Sequence, residues 1–163
     1  MAIWSGPPIE DAQSRWQADA DVAALASELA SRRTPVEDAT AAVSKFAQEL
    51  TPTEKADRLT LLFAGLFETL DRERSEIMNG IDRYARAQKS LAEQIRTDQT
   101  RLSDLNSSNA DPLQVSAFTT ELTTRVRIFN ERSHSLTYVC EVPTLIEQRL
   151  GTLARAIEGE IPG

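Results

Sequence analysis

A chain of 163 residues with a formal charge of −7 suits a single domain and lacks the basic surface that nucleic acid or anionic lipid requires. Its 26% charged residues, 6% aromatic residues and few glycines favour long amphipathic helices over a β-rich fold. The single cysteine excludes an intramolecular disulfide, and no stretch reaches the ~20 apolar residues of a membrane span. We therefore expect a cytoplasmic protein, and the preference for arginine over lysine suggests a GC-rich bacterial source.

The N-terminal third is expected to contain two helices. Residues 1–8 form an irregular lead-in that ends at a Pro-Pro pair, and the apolar stripe that follows predicts a first helix over 9–33. The segment 17–21, with its two aspartates, is the weakest part of that helix. Val36, Ala39, Val43, Phe46 and Leu50 lie on one stripe and predict a second helix over 35–50.

Two helix starts share the signature Thr-Pro-x-Glu, at Thr34–Glu37 and at Thr51–Glu54. The threonine side chain can accept the backbone N–H of the third helical residue, and the glutamate can reach back to the threonine N–H. Proline at the first helical position loses no hydrogen bond, because its N–H would be unpaired there. The second signature opens a third helix.

The third helix is predicted over 52–105, since two rows of residues recur at seven-residue steps. Such rows line the seam of a helix that packs along its length on another helix. Asn79-Gly80 often marks a turn, but the phase of the rows is the same on both sides, which favours continuity. The rows are Phe63, Leu70, Ile77, Tyr84, Leu91, Asp98 and Leu105, and Phe67, Arg74, Ile81, Gln88, Ile95 and Leu102.

Residues 106–111 form the clearest loop, and Asp111 is expected to cap a fourth helix over 112–158. Pro143 should kink or break that helix, because it lacks the N–H and clashes with the preceding turn. A third seven-residue row supports the helix, with Pro143 in the one missing place: Val115, Leu122, Phe129, Leu136, Leu150 and Ile157.

The short loop predicts that the third and fourth helices fold back on each other. With the turn near Asn109, Gln88 pairs with Phe129 and Ile95 with Leu122. The predicted fold is all-α: a four-helix arrangement in a single domain, 1–163, with two short N-terminal helices packed on the base of a long antiparallel coiled-coil-like helical hairpin.

The two ends of the hairpin differ in composition. Within residues 59–70 apolar side chains cover most of the helix circumference, so this stretch should be buried all round by the N-terminal helices, whereas 84–105 carries a narrow apolar stripe between charged faces. The narrow part should project as a two-helix arm that offers its stripe to a partner. Candidate partner-binding residues on the arm are Leu91, Ile95, Leu102, Val115 and Leu122. Trp4 is either a docking anchor or a lid over the base.

Glu131 and His134 have the Glu-x-x-His spacing of di-iron sites, but a complete site needs two such motifs and the chain has one histidine. We therefore expect no metal or cofactor. In the hairpin register His134 lies near Tyr84 and Gln88, so these residues and Glu131 are predicted to form a polar core layer that fixes pairing.

Cys140 and Asp98 are expected to have structural roles. Cys140 should be a buried thiol against Ile77, since no base lies beside it. Asp98 interrupts the seam and either bonds Thr119 or Thr120 or faces water.

The pattern favours a non-enzymatic helical interaction protein: an adaptor, scaffold or export-type chaperone that presents coiled-coil surfaces to a protein partner, as a homodimer that binds no nucleic acid. The alternative is a small-ligand- or metal-binding bundle or enzyme that uses the polar layer of Tyr84, Gln88, Glu131 and His134. A lipid- or granule-surface role for residues 61–70 is disfavoured by the acidic charge.

Overall fold

A computed structural model describes residues 3–162, and this part of the chain is helical without strands. The predicted all-α class is confirmed, and so is the hairpin, since the two long helices pack against each other. No helix in 3–162 has the length and apolar character needed to cross a membrane. The helices are α1 (Glu10–Arg15), α2 (Ala20–Ala30), α3 (Val36–Glu49), α4 (Pro52–Ser107) and α5 (Pro112–Glu160), with a 3-10 turn at Trp16–Ala18.

Tertiary contacts group the chain into two compact units. The core unit comprises Met1–Glu76 with Pro143–Gly163, and the hairpin unit comprises Ile77–Val142. Each unit therefore contains a part of α4 and a part of α5. The single domain over 1–163 stays a prediction.

The predicted first helix, 9–33, is wrong as one element, because it is divided at Asp19. The backbone of Asp19 is extended, with φ −92° and ψ 105°, and its carboxylate accepts the N–H of Val22 at 3.1 Å. Asp19 thus caps α2. The apolar stripe runs through this break, so periodicity alone did not show it.

The two Thr-Pro-x-Glu signatures have different outcomes. At Thr34 no side-chain cap forms, and α3 begins at Val36 with Pro35 in the capping position. At Thr51 the Glu54 carboxylate accepts the backbone N–H of Thr51 at 3.3 Å and the Thr51 hydroxyl as well. These bonds lower the pKa of Glu54. The second predicted helix start is therefore confirmed. One bond differs from expectation: the Thr51 hydroxyl donates to the Glu54 carboxylate, whereas its oxygen was expected to accept a backbone N–H.

Helix α4 continues through Asn79-Gly80, as the unbroken phase of the rows predicted. It ends where Asn109 adopts a left-handed φ of 50° and the Ala110 N–H bonds the Leu105 carbonyl at 3.3 Å. The Asp111 carboxylate then accepts the N–H of Leu113 at 3.0 Å, which confirms the cap of α5. Pro143 lies inside α5 without ending it.

The core unit is centred on the first part of α4. Residues 59–66 and Leu70 are all buried, so this stretch has no exposed face, as its all-round apolar composition predicted. The other helices of the core unit also contribute buried apolar side chains: Ala12, Val22, Ala26, Leu29, Ala39, Val43, Ala47, Ile146, Leu153 and Ile157.

Trp16 is held at Gly65 by close packing. Its indole N–H donates to the Glu68 carboxylate at 2.8 Å, and the side chain is buried. A Cβ at position 65 would lie 2.7 Å from Cε3 of Trp16. Only glycine leaves the room that the indole occupies on α4.

Asp19 also pairs with Arg58, which joins the start of α2 to α4. Nε and Nη2 of Arg58 each donate to the carboxylate at 2.8 Å, and both side chains are about three-quarters buried. The hydrogen bond from Arg58 is the main reason that the pKa of Asp19 lies below the ordinary value of an aspartate. A second carboxylate, that of Asp21, contacts Arg58 at 3.2 Å but is 79% exposed.

We expect Asp19→Asn to lower the free energy of unfolding at neutral pH by about 1 kcal/mol, because it keeps a capping oxygen and loses the ion pair. The depressed pKa of Asp19 means that its stabilisation exists above the unfolded-state pKa and is lost as pH falls through the folded-state value. The gap between the parent and Asp19→Asn in urea unfolding should therefore close below about pH 4. Asp21→Asn is the control and should change little; equal effects at both sites would contradict the assignment.

A second substitution tests the close packing in the core unit. Gly65→Ala should destabilise by about 1–3 kcal/mol through its clash with Trp16, although alanine is the better helix former. Gly151→Ala, where the nearest atom to the added Cβ is Nη1 of Arg155 at 3.6 Å, should be neutral or slightly stabilising. Denaturant midpoints of the two variants measure this contrast, and a stabilised Gly65→Ala protein would be inconsistent with it.

Candidate functional site

The hairpin unit has a thin interior. Among residues 77–142 only Gln88, Ile95 and Leu122 are buried. Nε2 of Gln88 donates to the carbonyl oxygen of Phe129 at 3.1 Å and to the hydroxyl oxygen of Ser133 at 3.0 Å, which confirms the predicted pairing of Gln88 with Phe129. Within residues 3–162 the buried amide oxygen of Gln88 has no hydrogen-bond partner. A unit that buries so few side chains gains little stability from its own packing.

The predicted partner-binding residues take different positions. Ile95 and Leu122 are buried within the hairpin unit, and Leu91, Leu102 and Val115 are half-buried. The first two are thus already covered by their own chain.

Trp4 lies in the core unit, half-buried. Its ring stacks on Phe63 with centroids 3.9 Å apart and planes 4° apart, and its indole N–H donates to the Pro7 carbonyl at 2.8 Å. Trp4 was expected to be either a docking anchor or a lid over the base. Its stacking on Phe63 favours the lid.

The predicted polar core layer is not assembled. Gln88 is buried and Tyr84 is half-buried, but Glu131 and His134 are exposed. Glu131 pairs with Arg127 at 3.0 Å, and the ring of His134 forms a T-shaped pair with that of Tyr138, with centroids 5.5 Å apart. The register placed these residues at the right height, but Phe129, Ser133 and Leu136 occupy the face of α5 turned to α4. The prediction was therefore wrong for Glu131 and His134.

Two further polar residues differ from expectation. Cys140 is exposed, so the prediction of a buried thiol was wrong. Asp98 bonds Arg125, whereas the hydroxyls of Thr119 and Thr120 donate to backbone carbonyls of their own helix. The acid in the seam is thus neutralised by an arginine of α5. Within 3–162 no group of three or more His, Cys, Asp or Glu side chains is placed to hold a metal ion.

One side of the hairpin unit carries an apolar cleft, here called the hairpin cleft. It has a volume of about 250 Å³ and lies between α4 and α5. Val139 on its wall is 44% exposed, and the adjacent Tyr138 is 62% exposed. The residues that line it are Ile77, Gly80, Ile81, Tyr84, Ser135, Leu136 and Val139.

Gly80 leaves the hairpin cleft open. A Cβ at this position would meet nothing closer than Nη2 of Arg83, at 4.0 Å. Position 80 therefore differs from position 65, where Trp16 occupies the space that a side chain would take.

Sequence reasoning did not identify the hairpin cleft as a candidate site. Ile77, Ile81 and Leu136 were recognised as seam residues, but Gly80 was considered only as a turn signal. Val139 lies outside the seven-residue rows. The sequence did contain a signal for the cleft. Val139 is apolar although it lies outside the seven-residue rows, and in the hairpin register it lies opposite Gly80, so the apolar stripe is wider on this side of the hairpin.

No protein-family model, curated protein or solved structure matches the chain.

Proposed function

We propose that the chain is a non-enzymatic helical interaction protein, an adaptor, scaffold or export-type chaperone, whose hairpin unit presents the hairpin cleft to a helix of a protein partner. The observation that carries the proposal is the cleft itself, an apolar space between two helices that no side chain of the hairpin unit fills. An amphipathic helix buries its apolar face in such a groove through residues spaced three and four apart.

The division of stability between the units supports this proposal. The core unit has many buried apolar side chains, whereas the hairpin unit has two, Ile95 and Leu122, and one buried amide, Gln88. A segment with few buried side chains gains more stability from a bound partner than a segment with a well-packed interior, because the partner buries apolar side chains that were exposed. A partner helix in the hairpin cleft would supply that surface.

The alternative, a ligand or metal site at the polar layer, gains no support from the geometry. Its residues Glu131 and His134 are exposed and do not converge with Tyr84 and Gln88. The proposal retains the expectations of a cytoplasmic location and of a homodimer. It also retains the expectation that the chain binds no nucleic acid, because the hairpin unit has as many acidic as basic side chains and so lacks an excess of positive charge.

The test compares two exposed apolar residues of the hairpin unit. Val139→Glu introduces a charge into the hairpin cleft, and Leu113→Glu introduces the same charge at a residue that is 78% exposed and outside the cleft. Tagged full-length proteins are used to capture partners from the cells that make the chain, after circular dichroism has shown equal helicity.

We expect Val139→Glu to reduce capture of the specific partner at least about tenfold, because a buried unpaired carboxylate opposes docking. Leu113→Glu should capture as the parent does. The proposal is refuted if the two variants capture the same proteins in the same amounts.

A further inference from the structure

The hairpin cleft also indicates which partner it suits. We propose that its occupant is the hairpin unit of a second copy of this chain, docked through a two-fold contact. This inference rests on the proposed function, since it identifies the partner of the same surface. Two hairpins joined in this way form a four-helix bundle, in which seams that are thin in one copy become a shared interior.

Charge is the first argument for a second copy. The hairpin unit contains eight Lys and Arg and eight Asp and Glu, so its net charge is zero and the core unit accounts for the −7 of the chain. A strongly acidic or basic partner would find no complementary field on this surface. A copy of the same neutral surface meets no net repulsion.

Charged residues of opposite sign lie in sequence next to the lining residues of the two walls, Arg83 after Gly80 on α4 and Glu131 before Ser135 on α5. Arg83, whose Nη2 lies 4.0 Å from the position of a Cβ on Gly80, forms no ion pair within the described residues. Glu131 lies one helical turn before Ser135, on the other wall, and its pair with Arg127 is exposed on both sides. Such an i,i+4 pair contributes little, so Glu131 can exchange its partner at small cost. In a two-fold contact Arg83 of each copy faces Glu131 of the other.

Gly80 supplies the second argument. A glycine inside a helix lowers stability by about 1 kcal/mol relative to alanine. No atom of the hairpin unit packs closely on position 80, so packing within the chain gives no reason for it. A helix of a second copy that brings Val139 and Tyr138 against Gly80 needs this space, because a side chain there would hold the two backbones apart.

The experiment is sedimentation equilibrium of the full chain from low micromolar to submillimolar concentration. We expect a monomer–dimer equilibrium that Gly80→Leu weakens at least about tenfold, because it fills the hairpin cleft. Gly159→Leu is the matched control. It places the same side chain on α5 where nothing lies within 4 Å, outside the cleft, and should leave dimerisation unchanged.

A charge exchange gives a second readout that does not depend on filling the space. Arg83→Glu and Glu131→Arg should each weaken the dimer, and the two together should restore at least part of the loss, as for groups that face each other. Simple unfolding would not be reversed by the second substitution.

Two results would overturn the proposal. One is a chain that sediments as a monomer at every concentration; the other is a dimer that Gly80→Leu and Gly159→Leu affect equally. Either result leaves the proposed function standing if Val139→Glu still loses a partner that Leu113→Glu retains. If that contrast is also absent, the interaction role of the hairpin cleft fails as well.

Discussion

The structure depends on one constraint: a stretch of α4, residues 59–66 with Leu70, is buried on every side and has only one polar side chain, Thr60, so it cannot leave any face in water. A single helix packed alongside it would cover only one side, so α1, α2, α3 and the end of α5 must enclose the rest. The fit of Trp16 against Gly65 and the stacking of Trp4 on Phe63 follow from this enclosure. The enclosure ends with the core unit. Beyond Glu76 the sequence supplies only a seam, and the hairpin unit is left with a cleft on its surface.

Arg149 is a buried charged residue of the core unit, and its hydrogen-bond partners are backbone carbonyl oxygens. Its guanidinium is buried in the core unit, where Nε donates to the Leu29 carbonyl at 2.7 Å and Nη1 to the Thr34 carbonyl at 2.9 Å. Burial lowers the pKa of Arg149, and its Nη2 has no hydrogen-bond partner among the residues that the structure describes. The Leu29 carbonyl belongs to the last turn of α2, where acceptors are unsatisfied and the helix dipole favours a cation. One side chain of α5 thereby holds the end of α2 and the link to α3.

The sequence predicted the long elements because their signals are repeated many times. Rows at seven-residue steps determined α4, α5 and their pairing, and Asp111-Pro112 marked the start of α5. Sequence-based prediction failed where the structure depends on the conformation or the hydrogen bonds of a single residue. The apolar stripe continues through Asp19, where the helix is broken. The side chain of Thr34 does not cap α3, although it lies in a capping signature. Arg149 donates to backbone carbonyls, which a pattern of charged residues does not reveal. For the site, pairing arithmetic gave the height of Glu131, His134 and Cys140 along α5 but not the face on which they lie, so the polar layer was predicted and the hairpin cleft was not.

The central claim is that the core unit carries the stability of the chain while the hairpin unit gains its order from a second surface. Native-state hydrogen exchange, followed at low and high protein concentration, measures this directly. Amides of 59–70 and 146–157 should exchange only by global unfolding at both concentrations. Amides of 77–142 should exchange faster at low concentration, because few buried contacts oppose local opening, and should become protected as the proposed dimer forms. Equal protection of the two units, unchanged by concentration, would contradict the account.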